Sequence, residues 1–544
     1  MRFQTCAAFW AYVVSSSLPL VQANQGLGRN LRAANDCTIM AARRLVLEGE
    51  EGEAGDDTMI IQCEMHPDDA NGVEGIFFEL GVTEEQSEKL KGLVKSGDVS
   101  PGQDSLDIVG KNIENNKIEF PPGLDIATAV MKNNGNGRRR LAVTKGDKPI
   151  LLVKVKDVNG LQLSDTHQVM SDKVFGTDGD PGNLKTSLAA CSHQQLNVVA
   201  GVGSAKELAG GTAPGVVEVT IPISLLDNDY WIIGNAVTTA LSTDLGISVP
   251  GDYQQVMYAL EGCYSFSCWG WAAYAYIDSW NSVYYGDYYK AVGVQVHELG
   301  HNFNLGHSAG LDNYTYSDHT CAMGNPHYSD DYYQCFNPAK NFQLDWYDDA
   351  KITVDPRVPG YTETLTLVGI AEYDLAGNNP VAVRMSTGGQ SPGGGDIFVG
   401  FNRATGPNQY NVEGDDQVTI VQVSSGTGTY YSMSYLRAKL SQGQSHYLYN
   451  FGGTGKTVTV TVNSINIETF PGTAVVTITD SPPPTPRPSR SPSMSYGSYS
   501  LTTKAGKKAK AKAAKRSKGN GYVETPPMSY GSYSSVGSKG GKRI

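Results

Sequence analysis

The chain has 544 residues, 40% hydrophobic and 18% charged, with a net charge of −12. That length holds two to four domains around a sizeable core. With 62 glycines and 30 tyrosines the composition favours loops and β structure, which sets a helix bundle aside.

Residues 1–23 read as a signal peptide. Arg2 gives the positive start, Cys6 to Leu20 is mostly apolar, and Val21-Gln22-Ala23 stands at the cleavage position. The alternative, a membrane anchor, meets an obstacle in Ser15-Ser16-Ser17, which interrupts a run already short for a bilayer. No later stretch is apolar enough to span. The mature protein is therefore expected to be secreted, with no membrane span, and eight cysteines suit an oxidising compartment.

Residues 24–140 are acidic and mixed in pattern, and they end in Gly135-Asn136-Gly137-Arg138-Arg139-Arg140. Three arginines behind a flexible tract form a target for a basic-specific protease, so this segment is expected to be the propeptide of a zymogen. Cys63 has two readings. It pairs with Cys37, or it ligates a metal in the zymogen as a thiolate.

A mixed α/β pattern fills residues 141–350. Pro149 to Val155, Val256 to Leu260 and Ala272 to Ile277 read as strands. From Tyr288 to Phe303 the apolar Val292, Val296, Leu299 and Phe303 recur at helical spacing, and His297 and His301 fall on the opposite face, one above the other. Glu298 follows the first histidine. Asn304 and Gly306 are the residue types that accept positive φ where the chain must turn to bring His307 round. Three imidazoles and one carboxylate in this pattern point to catalytic Zn2+: His297, His301 and His307 as ligands, and Glu298 as the base that takes a proton from water. Met323, in Cys321-Ala322-Met323-Gly324-Asn325, is placed to support the site from below. Of the remaining cysteines, Cys263 with Cys268 and Cys321 with Cys335 would close local loops, although spacing leaves the connectivity open.

The eleven residues from His297 to His307, with Met323 downstream, resemble the metzincin signature, in which a glycine normally stands at the place of Asn304. The Ala-Tyr-Ala-Tyr run at 273–276, Cys191-Ser192, Asn302 and the stretch Cys335 to Tyr347 narrow the resemblance to the gametolysin family of algal cell-wall metalloproteases, over about residues 145–350. Some members begin the histidine motif with Gln, where this chain has His297. The resemblance implies an α+β catalytic domain with a mixed sheet and a zinc helix, and an endopeptidase acting on extracellular matrix or cell-wall glycoproteins. It also implies that the strand before the helix pairs with an extended substrate.

Residues 351–480 become all-β. Glu363 to Val368, Gln417 to Val423 and Thr457 to Val462 are Thr/Val strands separated by Gly and Pro, and a sandwich-like accessory domain is expected. Residues 481–544 open with Ser481-Pro482-Pro483-Pro484 and hold hardly any aliphatic core residues, so they are expected to be disordered. Nine lysines and four arginines against Glu524 give this tail +12, leaving −24 on the rest of the chain. Met494-Ser495-Tyr496-Gly497-Ser498-Tyr499 recurs at 528–533 around a lysine run from Lys504 to Lys518, and the composition resembles silaffins. That resemblance implies silica or acidic polysaccharide as the tail's partner, with nucleic acid set aside for a secreted chain. The competing overall reading is a wall- or biosilica-associated structural protein that carries a protease-like domain.

Overall fold

Alternation along β1 (Asp36–Val46) sends Ile39 and Ala41 into one core and Met40 and Ala42 into another, so the strand is buried on both faces. The computed structural model that shows this describes residues 36–46, 59–65, 76–114, 116–132, 144–201, 213–262, 271–326, 334–388 and 394–480. The expected signal peptide, Arg138 to Arg140, Cys263, Cys268 and the basic tail lie outside the described residues. Among the described residues no helix is long and apolar enough to cross a membrane.

β1 pairs antiparallel with β2 (Met59–Met65), and β2 with β3 (Ile76–Gly81). Helix α1 (Glu84–Ser96) follows, opened by a capping box between Thr83 and Gln86 and closed by Gly97 at φ +79°. Four short strands complete the region: β4 (Ser105–Asp107), β5 (Asn112–Glu114), β6 (Lys117–Glu119) and β7 (Val130–Met131). A disulfide joins Cys37 to Cys63. Of the two readings of Cys63 the disulfide stands, and no thiolate is left there to reach a metal.

The central region starts with β8 (Gly146–Lys156), α2 (His167–Phe175), α3 (Leu184–Cys191), β9 (Leu196–Ala200), β10 (Val216–Thr220) and α4 (Tyr230–Leu245). Then come β11 (Gln255–Leu260), β12 (Trp271–Tyr276), β13 (Asn281–Tyr285), α5 (Val292–Asn302), β14 (Ser308–Ala309) and α6 (Pro338–Leu344). β11 lies between β8 and β13, parallel to both, and all six of its residues are buried. A near-continuous apolar run is what a parallel strand covered on both faces requires. One face of the sheet packs on α2, α3 and α5, the other on α4. β12 returns antiparallel beside β13 and has β1 on its other edge, so the N-terminal and central regions share one sheet, of 13 strands among the described residues. Phe77 stacks on Tyr276 across that junction with ring centroids 4.7 Å apart, a contact worth about 0.5–1.5 kcal/mol beyond area burial. Asn235 exchanges two hydrogen bonds with the backbone of Phe77.

The remaining strands are β15 (Lys351–Val354), β16 (Thr362–Val368), β17 (Ala382–Met385), β18 (Ile397–Asn402), β19 (Gln417–Val423), β20 (Ser434–Leu440), β21 (Ser445–Leu448), β22 (Val458–Asn466) and β23 (Thr473–Thr479). They form two sheets, in the orders β14-β20-β19-β18-β17-β15 and β16-β23-β22-β21. Val383, Val399 and Ile420 of the first share a core with Val460, Val476 and Ile478 of the second. The first sheet is not confined to residues 351–480. β14 belongs to it, pairing parallel with β20 directly after His307.

The local loop expected between Cys321 and Cys335 does not form. Cys335 is bonded to Cys191, at the end of α3, and Cys321 keeps its thiol, buried. Cys321 Sγ accepts hydrogen bonds from Ser308 Oγ and from the amides of Met323 and Asn337, and burial pushes the thiol up to about 11. It serves as a polar hub and is not a bridge.

Candidate metal centre

α5 is more deeply enclosed than its apolar stripe predicts. Val292, Val296 and Leu299 face the core as expected, yet every residue from Val294 to Asn302 is buried, the histidine face included. The helix starts later than expected, because Gly286–Lys290 forms a separate 3-10 turn and Ala291 adopts extended backbone before Val292. Asn302 ties the C-terminal end to the sheet. Its Nδ2 donates to the carbonyls of Tyr276 and Asn281 at 2.8 and 3.0 Å, and its Oδ1 accepts from Gln255 Nε2 at 2.5 Å.

Beyond the helix Asn304 sits at φ +68°, as the turn requires. Gly306 differs from expectation: it has no positive φ, and a Cβ there would lie 2.6 Å from the Ser432 carbonyl oxygen. The glycine is needed for close approach, which brings His307 against the segment leading into β20. The amide of Ser434 donates to the His307 carbonyl at 2.9 Å.

The three histidines come together, fully buried, with candidate ligand atoms within 4.8 Å of one another. Nδ1 of His297 lies 2.8 Å from the Ala322 carbonyl oxygen, and Nδ1 of His301 lies 2.9 Å from that of Leu305. A carbonyl only accepts, so both Nδ1 atoms carry the proton and both Nε2 atoms are left with a lone pair. His297 Nε2 has no hydrogen-bond partner, while His301 Nε2 faces His307 Nε2 at 2.9 Å. Burial pushes His297 down to about 4 and holds His301 and His307 well below the usual histidine range. Three neutral imidazoles within ligand reach of one another are the donor set a soft to borderline divalent cation requires, so these residues fit a metal ion.

Glu298 is fully buried beside them, and neither of its carboxylate oxygens has a hydrogen-bond partner. Burial raises its carboxyl well above the ordinary range. Met323 lies under the helix: a Cβ on Gly300 would come within 2.2 Å of its Sδ. The carbonyl of Met323 accepts from the Ser308 amide at 2.8 Å, and that of the preceding Ala322 orients His297. Supporting contacts of this kind fix the tautomer and direction of an imidazole.

One residue at the centre carries no sequence signal. The Tyr316 ring lies 4.4 Å from that of His307 and 6.2 Å from that of His297, and its hydroxyl donates to the Arg44 carbonyl at 2.6 Å. Nine residues beyond the last histidine, in irregular chain, it belongs to no periodic pattern, and its partner is 272 positions away.

Residues 151–364 match the family model described as Gametolysin peptidase M11. No curated protein and no solved structure matches the chain at a significant level.

Proposed function

We propose that this protein is a secreted, zinc-dependent endopeptidase of metzincin-like fold acting on extracellular matrix or cell-wall glycoproteins, a reading supported by the match of residues 151–364 to the gametolysin peptidase family model. The observation that carries the metal-dependent reading is the convergence of His297, His301 and His307, with Nε2 of His297 and both Glu298 oxygens buried without hydrogen-bond partners. Zn2+ bound there would supply a Lewis acid that polarises a carbonyl and makes water acidic.

The rest of the chemistry is assigned to side chains of the chain. Glu298 takes the proton of the attacking water and passes it to the leaving amine, general base and then general acid. A carboxyl raised by burial suits that double duty, since it holds a proton between the two transfers. Tyr316 directs a phenolic O–H past His307 toward a backbone carbonyl, the geometry of a donor to a developing oxyanion. Met323 keeps the floor of the site rigid. The basic tail, +12 against −24 for the rest, is read as an anchor to silica or acidic polysaccharide.

The test is Glu298→Gln. Zinc content should stay at the level of the unaltered protein, because no ligand is lost, while hydrolysis of a protein substrate should fall by at least about 10³-fold because the amide accepts no proton. Metal content and turnover are measured on one sample. Undiminished turnover in the variant would remove Glu298 from the mechanism.

A further inference from the structure

β12 has two edges. β13 pairs with one and β1 with the other, in antiparallel register: Ala42 opposite Tyr276, Arg43 opposite Ala275, Arg44 opposite Tyr274 and Leu45 opposite Ala273. A peptidase that binds extended chains needs a free strand edge beside its reacting groups, and this edge, packed against α5, is filled by the protein's own N-terminal region. The end of β1 is also drawn toward the histidines. Leu45 is buried in the same core cluster as Leu299, Met323 and Tyr316. The Arg43 side chain is buried as well. The carbonyl of Arg44 takes the hydrogen bond from Tyr316, whose ring packs on His307.

We infer that the end of β1 occupies the place of the peptide substrate, with the Arg44–Leu45 peptide group presented at the metal centre, so that the full chain is latent until β1 leaves the β12 edge. This rests on the peptidase reading above. The latch is backbone pairing and is not a cysteine, since Cys63 is held by Cys37. Departure of β1 also frees the Tyr316 hydroxyl for a substrate carbonyl. Hydrolysis of one peptide bond among residues 138–140 by a basic-specific protease separates the inhibitory strand from the central region in sequence and lets it peel away.

The experiment uses the full chain in three forms: intact, nicked at residues 138–140, and intact with Arg43→Pro, which deletes a ladder donor in the middle of the β1–β12 pairing, since the backbone groups of Ala41 and every second residue after it face β12. Each form is assayed twice. One assay is hydrolysis of a quenched fluorescent peptide with zinc present. The other is fluorescence anisotropy of a labelled synthetic peptide with the sequence of residues 38–46, in a Glu298→Gln background so that the probe is not consumed. The nicked and Arg43→Pro forms should bind the probe, which the intact chain should not, and hydrolyse at least about tenfold faster than the intact chain. A misfolded Arg43→Pro protein cannot gain activity, and the nicked form tests the same point without it. The inference is overturned if the intact chain binds the probe and hydrolyses as well as the nicked one, or if nicking produces neither gain. Probe binding that appears on nicking without hydrolysis in any form would uphold the inference and count against the peptidase reading.

Discussion

At the scale of single residues, the histidine neighbourhood was legible because all three imidazoles fall within eleven residues, where helical geometry and one turn govern distance. Tyr316 was not, because its role depends on Arg44, a contact created only when the sheet closes. If that phenol serves the substrate carbonyl, Tyr316→Phe should lower kcat by about 10²-fold with KM little changed. The intact chain should lose about 1 kcal/mol of stability, because the Arg44 carbonyl loses its donor while the ring and its packing on His307 remain. An equal loss in KM alone would make Tyr316 a binding residue only.

Lys148 tests burial by pH. It is almost fully buried, with its ammonium 4.9 Å from the Phe303 ring centroid, and desolvation pushes it down to about 7 from 10.5. Between those values the unfolded chain binds the proton more tightly than the folded one. The penalty is therefore complete below about pH 7 and is relieved as pH rises toward 10.5. Lys148→Met should stabilise the protein by roughly 2–4 kcal/mol at pH 6.5, after allowance for the lost cation–π contact, and by little at pH 10.5. Urea midpoints of the two proteins at both pH values decide it.

Among elements, the strands expected at Pro149 to Val155, Val256 to Leu260 and Gln417 to Val423 correspond to β8, β11 and β19, since each is a β-branched or apolar run bounded by turn residues. The two-residue β14 has no such signature. Its existence is decided by its partner β20, 126 residues downstream at Ser434. A boundary near residue 350 was therefore natural in sequence and cuts through a shared sheet in space. Phe398, Val421 and Leu436 lie in the same core cluster as Leu299 and Met323, and Ser434 holds the carbonyl of His307. A chain ending at residue 350 should be poorly soluble and hold less than about a tenth of the zinc of a chain ending at residue 480. A soluble 350-residue product with one zinc per chain would show that the β-rich region is dispensable to the site.

For the molecule as a whole, charge separation is the property most directly read from sequence: a tail of +12 following a body of −24. Attachment through that tail has to weaken as salt rises. Full-length protein should be retained on silica and on acidic polysaccharide at low ionic strength and released within a few hundred millimolar salt, whereas protein truncated after Asp480 should pass through both. Peptide hydrolysis by the two should agree within about twofold, because none of the residues assigned to the chemistry lies beyond residue 480. Equal retention of the two forms would leave the tail without an anchoring role.

The bond between Cys191 and Cys335 spans 144 positions, and that interval contains all three histidines, Glu298 and Met323. An endopeptidase of the kind proposed, at high local concentration, is exposed to its neighbours, and a surface loop such as the one bearing Leu311 and Tyr314 offers them a cut. Here a nick anywhere inside the interval yields two pieces that stay covalently joined, so the damaged copy loses chain continuity but keeps the three histidines in one molecule. Self-digestion then shows itself only when reductant is added, as smaller bands in place of one, and an aged preparation can be heavily clipped while still working.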